Sequence, residues 1–405
     1  MQINSSSFPK NANVKEGNMK KIQYTASVMR PADFAALFTK KATMPGQQAQ
    51  KYNRLLIEGL AANNVYVQVI SGVPVTKQNY PKKVFQGKRV AEGSILYHYL
   101  PTLNLMGIKN IVQLLGAFFE VLLSKKTDAV ICDVLNASVA LGASFAAHLK
   151  RKPFVGIVTD HPRMMVTGSG KKYIRMVERV IQNCTHYVFL TEQMNKTLNH
   201  KEKPYVIIEG VSDQKASSTK INLCSNKHCI YAGLLDARYG VKKMVDAFIL
   251  ADIEGAELHI YGNGPYVEEL QHVASQHHNV LYHGNVLNEE VVAAEMEASL
   301  LINPRPTTEE FTKYSFPSKN MEYMASGTPV LTTNLPGMPQ EYQNYVYLFD
   351  DETVEGMARR IREVLSFSSE YLRQKGLDAQ KFVLENKNNV VQAKKILIML
   401  EQCSE

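Results

Sequence analysis

Short apolar segments alternate with longer amphipathic segments along most of this chain. Apolar runs of this kind are typical of strands buried in a parallel sheet, and the amphipathic stretches between them are typical of helices. The first series of predicted strands comprises Lys21–Val28, Tyr66–Ser71, Asp128–Cys132, Phe154–Thr159, Tyr187–Leu190 and Val206–Ile208. The second comprises Cys229–Ala232, Glu257–Tyr261, Val280–His283, Leu300–Asn303 and Val330–Thr332. Two successive strand–helix series predict an α/β protein with two Rossmann-like domains facing across a cleft, where ligands bind beyond the carboxyl ends of the strands.

The predicted domain boundaries follow the polar segments. Residues 1–18 are polar and lack the apolar core of a signal peptide, so we expect a disordered lead-in there. The first domain is predicted over residues 19–208 and the second over residues 228–385, joined by a linker at 209–227 in which Ser, Lys and Asn cluster. Residues 386–405 complete a helical stretch predicted over Gln374–Gln402.

Composition narrows the class of protein. With 405 residues and 45% hydrophobic content, the chain is long enough for two or three full cores, and no apolar run is long enough to span a bilayer. The five cysteines are an odd, scattered set, which indicates reduced thiols and a cytoplasmic location. Cys224 and Cys229 lack the second ligand pair that a structural zinc site needs, so no metal site is predicted.

The charge is divided unevenly between the two halves of the chain. Residues 1–200 hold 26 Lys and Arg against 10 Asp and Glu, whereas residues 201–405 hold 20 against 28. A basic half suits a nucleic acid, an anionic membrane surface or a phosphorylated substrate. Because the basic residues are dispersed and no nucleic-acid-binding module is recognisable, no nucleic acid partner is expected.

The segment from Ser315 to Val330 carries the clearest functional pattern. It predicts a helix that Ser315 caps, with Pro317 in its first turn and Gly327 at its end. The free N–H groups at a helix N-terminus suit a phosphate, and Glu322 lies roughly 6 Å further along the axis. That is about the separation between the diphosphate and the ribose hydroxyls of a nucleotide. The alternative is an ordinary amphipathic helix with a solvated glutamate.

Five segments, in order, resemble the retaining GT-B-fold glycosyltransferases of family four, the glycosyl transferases group 1. The resemblance is strongest over Tyr231–Phe349 and continues more weakly back to about Met19. The segments are Tyr231–Gly240 with Val245–Phe248, Leu258–Pro265, Tyr282–Gly284, Asn303–Pro306 and Phe316–Gly327. The helix start Tyr-Ser-Phe-Pro-Ser-Lys is similar to that of bacterial polysaccharide-assembly members. The resemblance implies a GT-B fold whose last helix crosses back to the first domain.

The resemblance also implies roles for individual residues. Glu322 would bind the ribose hydroxyls of a nucleotide-diphosphate sugar, and Gly233 would let the backbone approach the diphosphate. Further donor-side positions are Gly264, His283, Phe316, Ser318 and Lys319. In the first domain, Gly46 and Gln47 resemble the acceptor-side glycine loop. His161 occupies the position of an active-site histidine, with Asp160 as its rival and a loop histidine as the alternative.

Three positions depart from the family pattern. Tyr314 stands where a second glutamate is usual, and Leu234 and Tyr239 stand where the family has an arginine and a lysine. The nearest cations that can replace them are Arg238, Lys242, Arg305 and Lys319. Tyr314 is therefore included among the catalytic candidates.

The implied reaction is retaining transfer of a sugar from a nucleotide sugar to a glycan, glycolipid or lipid-linked acceptor, in the synthesis of a cell-surface polysaccharide or glycoconjugate. The chain has no Asp-x-Asp clamp, so we expect neither a metal nor a cofactor. The missing cations and glutamate favour one alternative, a non-catalytic partner subunit. The other is a different sugar-nucleotide enzyme on the same fold.

The acceptor side offers two interpretations of one apolar helix. Asn104–Lys126 is apolar and ends in Lys125-Lys126, and Lys150–Lys152 and Lys171–Lys172 add positive charge. One interpretation is peripheral docking on the anionic inner face of the cell membrane, where a lipid-linked acceptor is found. The other is a core helix packed under the first sheet.

Overall fold

The structure, a computed structural model, describes residues 20–39, 45, 48–105, 107–164, 170–214 and 227–403. The predicted lead-in, the acceptor-side residues Gly46 and Gln47, and residues 215–226 of the predicted linker lie outside this description. The strands are β1 (Lys21–Ala26), β2 (Tyr66–Ser71), β3 (Val84–Phe85), β4 (Lys88–Glu92), β5 (Ile95–Tyr99), β6 (Thr102–Leu103), β7 (Ala129–Asp133), β8 (Phe154–Val158), β9 (His186–Phe189), β10 (Tyr205–Ile207), β11 (Lys227–Leu234), β12 (Ala256–Asn263), β13 (Val280–Gly284), β14 (Leu300–Asn303), β15 (Val330–Thr333) and β16 (Tyr347–Phe349).

The α-helices connect these strands. They are α1 (Pro31–Leu37), α2 (Gln48–Ala62), α3 (Ile108–Leu123), α4 (Ala137–Leu149), α5 (Lys171–Asn183), α6 (Glu192–Leu198), α7 (Val241–Ala251), α8 (Val267–Gln276), α9 (Asn288–Glu297), α10 (Ser318–Ser326), α11 (Val354–Leu365), α12 (Ser369–Asn386) and α13 (Asn389–Gln402). None of the helices in the described part of the chain is long and apolar enough to cross a membrane.

The first sheet has eight strands in the order β10-β9-β8-β7-β1-β2-β5-β4. All neighbouring strands pair in parallel except β4, which pairs antiparallel with β5 through a turn at Gly93. The central strand β7 is buried along its whole length, as expected for a parallel strand covered on both faces. Helices α3, α4 and α5 pack side by side in one layer, while α2 packs against α13 in the other.

The second sheet has six parallel strands in the order β13-β12-β11-β14-β15-β16. This is the doubly wound order in which the strand sequence reverses between β11 and β14, and a crevice opens at that point. The first sheet has its own reversal between β1 and β7. The prediction of two Rossmann-like domains facing across a cleft is confirmed, since loops that follow strands of the two sheets line one common cavity.

The chain returns to the first domain after α12. The helical stretch predicted over Gln374–Gln402 is divided between α12 and α13, with a break at Lys387 and Asn388. The Asn388 side chain accepts hydrogen bonds from two backbone N–H groups of α13 and so starts a new helix in a new direction. Helix α13 then packs against α2 and β10, which confirms the expected crossing back to the first domain.

Candidate functional site

Helix α10 begins two residues later than the sequence predicted. Pro317 occupies the N-cap position, and the hydroxyl of Ser315, the predicted cap, instead donates to the carbonyl of Phe311 at 3.2 Å. Because proline has no side chain that can cap, the first N–H groups of α10 keep their hydrogen-bonding capacity. Gly327 ends the helix in the left-handed conformation, as predicted (φ 81°).

A cavity of about 310 Å³ lies between the two domains at the start of α10. From the first domain it is lined by the loop after β8, and from the second by the loops after β11 and β14 together with the start of α10. Seven of the predicted site residues share this cavity: Asp160, His161, Arg238, Arg305, Tyr314, Phe316 and Ser318. They come from segments up to 158 positions apart in the chain, and the fold brings them to one cavity.

His161 and Tyr314 meet across this cavity. Their ring centroids are 4.7 Å apart, with a tilt of 44° between the ring planes. Burial, together with the nearby Arg163 guanidinium, lowers the pKa of His161, so the imidazole is neutral at pH 7. Burial raises the pKa of Asp160, and the Thr159 hydroxyl, which hydrogen-bonds its carboxylate, opposes that shift. A neutral imidazole and a phenol therefore face the cavity from opposite domains.

Arg305 is a buried cation that lies against aromatic rings. Its guanidinium carbon is 4.8 Å from the Tyr239 ring centroid and 5.6 Å from that of Phe311. Its Nε atom is buried without a hydrogen-bond partner, and no ion pair involves Arg305 within the described residues. Burial lowers the pKa of Arg305, yet an arginine stays charged in a protein. Such a cation is suited to an anion that enters from the cavity.

A second, smaller cavity of about 140 Å³ shares Arg305 and Tyr239 with the first. Its wall includes Gly233 at the end of β11 and Lys319 in the first turn of α10, both predicted donor-side residues. A Cβ atom at Gly233 would come within 3.0 Å of the Tyr231 hydroxyl, so a larger residue would narrow this cavity. Backbone and two basic side chains, Arg305 and Lys319, thus line this second cavity.

The two domains also meet at Glu322. Its Oε1 atom is 2.8 Å from Lys51 Nζ of α2, and its Oε2 atom is 3.0 Å from Lys319 Nζ. Burial acts to raise the pKa of Glu322, but Lys319 and Lys51 outweigh burial and hold the pKa below its ordinary value. Glu322 is therefore an ionised carboxylate at neutral pH, with both oxygens engaged by lysines.

Another carboxyl group, Glu295 of α9, lies behind this pair. Its side chain is 3% exposed, and Lys319 Nζ lies 3.9 Å from its Oε1 atom, beyond hydrogen-bond distance. Burial raises the pKa of Glu295 to about 7, while Lys319 partly opposes the shift. Lys319 is thus placed between the ionised carboxylate of Glu322 and the carboxyl group of Glu295, whose pKa is raised.

Known proteins support this architecture. A model of the family described as glycosyl transferases group 1 matches residues 226–366, a segment that contains Gly233, Arg305 and Glu322. Sucrose-phosphate synthase from Thermosynechococcus elongatus matches with a TM-score of 0.67 and 15% identity, covering 95% of this chain and 99% of that chain. A glycosyltransferase from Rickettsia africae matches with a TM-score of 0.65 and 13% identity, covering 96% and 99%. HepE from Anabaena, solved in complex with UDP, matches with a TM-score of 0.60 and 13% identity, covering 95% and 100%.

The chain has the GT-B fold. The structural matches extend over both domains, whereas the family model matches the second domain alone. A search among curated proteins finds no match to this chain.

Other predicted donor-side residues have their contacts within the second domain. The guanidinium of Arg238 is held by Asp236, with Nη2 and Oδ2 2.6 Å apart. Lys242, a further substitute cation, pairs with Glu269. A Cβ atom at Gly264 would lie 2.3 Å from the Leu235 carbonyl oxygen, so this glycine permits close packing of two loops.

His283 ends β13 and stacks on Tyr261, with centroids 4.5 Å apart. The predicted donor-side role of His283 stays a prediction.

Two residues of the cleft were missed by the sequence reasoning. Lys51 lies 271 positions from Glu322, and nothing in its local sequence distinguishes it from any other helical lysine. Glu295 could have been noticed in the sequence, because it is a charged residue on the side of α9 that contains alanine. Both become visible only when the helices are packed.

Proposed function

We propose that this protein is a retaining glycosyltransferase that uses a nucleotide-diphosphate sugar. The observation that carries the proposal is the order of groups across two neighbouring cavities: a neutral His161 and the start of α10 line the first, Arg305 lines both, and Lys319 of the second pairs with the carboxylate of Glu322. A sugar, a diphosphate and a ribose need complementary groups in that same order. The UDP and UDP-glucose complexes of Anabaena HepE support a nucleotide sugar as the ligand.

The diphosphate would be the leaving group, and its charge is what the site is built to stabilise. As the bond between the sugar C1 atom and the phosphate oxygen breaks, negative charge grows on that oxygen. Arg305 and Lys319 line the smaller cavity and Ser318, at the start of α10, lines the larger one, so these groups would stabilise the charge. Three sources of positive potential make a metal ion unnecessary for this step.

Retention of configuration follows from attack on the same face that the diphosphate leaves. The acceptor hydroxyl oxygen bonds to C1, and its proton passes to the departing phosphate oxygen. Such a reaction needs no enzyme nucleophile, in keeping with a cavity that presents an imidazole and a phenol rather than a pair of ionised carboxylates. His161 and Tyr314 would hold the sugar and exclude water as the domains close.

Slow hydrolysis of the donor, with water as the acceptor, tests the reaction without knowledge of the natural acceptor. Sugar conjugates of UDP, GDP, ADP and TDP are incubated with the protein, and the released nucleotide and the anomer of the free sugar are followed by NMR. We expect one donor to be cleaved with its anomeric configuration retained. We expect Glu322→Ala to abolish cleavage and Glu289→Ala, an exposed glutamate of α9, to leave it unchanged. Release of the inverted anomer, or cleavage unaffected by Glu322→Ala, would contradict the proposal.

The acceptor side has an exposed apolar surface on helices α3 and α4. One face of α3 is buried, but Ile111, Phe119 and Leu123 of the opposite face are 60%, 51% and 74% exposed. We define the apolar ridge as Ile108, Ile111, Leu115, Phe119 and Leu123 of α3 with Phe145 and Leu149 of α4. The interpretation of α3 as a core helix therefore holds for only one of its faces.

Basic side chains surround this ridge. Lys125 and Lys126 follow α3, and Arg151 follows α4. The Lys150 ammonium donates to the carbonyls of Val121 and Ser124, which brings these two helix ends together. On the neighbouring helix α5, four exposed cations continue the basic border: Lys171, Lys172, Arg175 and Arg179.

We infer that the apolar ridge docks on an anionic bilayer surface, where a lipid-linked acceptor would be presented. The exposed apolar side chains of the ridge would meet the acyl chains of the bilayer. The cations around them would meet the anionic headgroups. This charge pattern distinguishes a bilayer from an uncharged protein partner.

Vesicle flotation tests the docking surface. We expect binding to vesicles containing phosphatidylglycerol at low salt, little binding to phosphatidylcholine vesicles, and a severalfold loss of binding for Leu123→Asn. Val292→Asn, at an exposed apolar position of the second domain, should bind as the wild type does. Failure to bind anionic vesicles at low salt, or a dimer in solution that Leu123→Asn disrupts, would overturn the inference.

A further inference from the structure

Three potential metal ligands lie side by side on the second sheet. His228 is the second residue of β11 and pairs in register with Glu257 of β12, while His259 lies two residues further along β12. Since alternate residues of a strand point to the same face, Glu257 and His259 share one face of the sheet. Neither the donor cavity nor the proposed reaction uses any of the three.

The nitrogen and oxygen atoms of this group converge on one point. Glu257 Oε2 is 3.2 Å from His228 Nε2 and 3.1 Å from His259 Nε2, and all three donor atoms lie within 4.8 Å of one another. In a tetrahedral site with bonds of about 2.0 Å, ligand atoms are about 3.3 Å apart. The observed spacing therefore needs little adjustment to receive an ion.

We propose that His228, Glu257 and His259 form a binding site for Zn²⁺. Two imidazoles and one carboxylate suit zinc, whereas Mg²⁺ and Ca²⁺ prefer ligand sets made of oxygen alone. The side chains of His228, Glu257 and His259 are 28%, 42% and 16% exposed, so an ion reaches them from solvent, which completes its coordination.

A neighbouring histidine orients one of the ligands. His259 Nδ1 lies 3.0 Å from His283 Nε2, and the two rings are parallel to within 3°. Metal-binding histidines commonly use their second nitrogen for a hydrogen bond that fixes the ring, and His283 supplies this bond. His283 also stacks on Tyr261, so the ion would tie the start of β11 to the start of β12 and, through His283, to β13. Zinc would act here as a structural ion, separate from the sugar chemistry.

Zinc titration by calorimetry tests the site, with the metal-free, tag-free full chain and ZnCl₂ as the probe. We expect one equivalent of Zn²⁺ to bind and the Tm to rise. Binding should weaken at least about tenfold in Glu257→Gln and in His259→Ala. His283→Phe, which keeps an aromatic ring against Tyr261, should weaken binding about tenfold as a positioning residue.

The matched control is the double variant His277→Ala/His278→Ala, which removes two histidines after α8 that lie outside the proposed site. It should bind zinc as the wild type does. Circular dichroism of each variant without metal establishes that it is folded. Absence of saturable binding to the wild type, or binding that survives both Glu257→Gln and His259→Ala, would overturn the proposal. A failure of the proposed glycosyl transfer leaves this result unaffected, because the readout is metal binding.

Discussion

Glu295 and Glu322 lie on either side of Lys319, yet their protonation differs. Glu322 receives two lysine ammonium groups and has a pKa below the ordinary value. Glu295 is more deeply buried and lacks a hydrogen bond to its Oε1 atom, so its pKa rises to about 7. Contact with cations, rather than residue type, decides which carboxyl group is ionised.

Glu295→Gln tests this assignment through the pH dependence of stability. The native state holds the Glu295 proton more tightly than the unfolded state, so the resulting stability is full below the ordinary carboxyl pKa and is lost as the pH rises through about 7. Urea unfolding should give similar free energies for variant and wild type at acidic pH. Above neutrality the variant should be more stable, by on the order of 3 kcal/mol. Glu297→Gln, exposed on the same helix, should show no such dependence. A pH-independent difference would contradict the assignment.

The variant Arg305→Met distinguishes a role of Arg305 in nucleotide binding from a role in the stability of the protein. Removal of a buried cation that has no carboxylate partner should leave the free energy of unfolding unchanged or slightly increased. Affinity for a nucleoside diphosphate should fall by about 1.5–3 kcal/mol, or tenfold and more, since a charge-assisted hydrogen bond is lost. Calorimetry and thermal unfolding measure the two effects. A variant that unfolds more easily but binds nucleotide normally would show that Arg305 has a packing role.

At the residue scale, the sequence predicted which basic residues line the smaller cavity better than it predicted the contacts around them. Arg305 and Lys319 were identified because they are near the positions where two basic residues are missing, and both line the cavity. The predicted cap Ser315 was wrong because Pro317 takes the N-cap. Lys51 could not have been predicted, since its contact with Glu322 depends on the packing of two domains.

At the scale of elements, most of the buried strands were predictable from the sequence, whereas the exposed strand β4 was not. The buried strands of both sheets appear where apolar runs stand in the sequence, with small differences at their ends. Strand β4 was missed because its residues are largely exposed and charged. Strands β5 and β16 were missed as well, although most of their residues are buried. The break between α12 and α13 lies next to residue 386, where the predicted last segment begins, but the buried contact of Lys387 with Glu209 is distant in sequence and was not predicted.

Lys387→Met tests the connection between the two domains. Lys387 Nζ lies 2.6 Å from Glu209 Oε1, and both side chains are almost fully buried where the chain crosses back. Removing the lysine leaves Glu209 charged and buried, with the Tyr342 hydroxyl still donating to it, so we expect a loss of about 3–5 kcal/mol of stability.

The double variant Lys387→Met/Glu209→Gln should recover much of this loss, because no buried charge remains unpaired. Lys381→Met, at an exposed site of α12, should change the stability by less than about 0.5 kcal/mol. Denaturant unfolding measures all three variants. If the double variant is no more stable than Lys387→Met, Lys387 and Glu209 have little energetic coupling, and the prediction is contradicted.

At the scale of the whole molecule, the carboxyl ends of two sheets face each other and Lys51 joins the domains through Glu322. A ribose that binds Glu322 has to replace at least one of its two lysines. The contact between Lys51 and Glu322 therefore competes with the nucleotide for the same oxygen.

Lys51→Met should tighten nucleotide binding by up to about fivefold. This range corresponds to the 0.2–1 kcal/mol that a partly exposed ion pair contributes, which the nucleotide no longer has to overcome. Calorimetry against the preferred nucleoside diphosphate measures the change, and Lys77→Met removes an equal charge at an exposed site as a control. A tenfold weakening would show instead that Lys51 contacts the nucleotide.

Titration of UDP, GDP, ADP and TDP into wild type, Glu322→Ala and Glu289→Ala tests the central claim most directly. The account predicts that one of the four nucleotides binds, that Glu322→Ala loses this binding, and that Glu289→Ala keeps it. Absence of binding to all four would contradict a working donor site and favour a non-catalytic partner subunit with the GT-B fold. Binding that survives Glu322→Ala would place the nucleotide elsewhere.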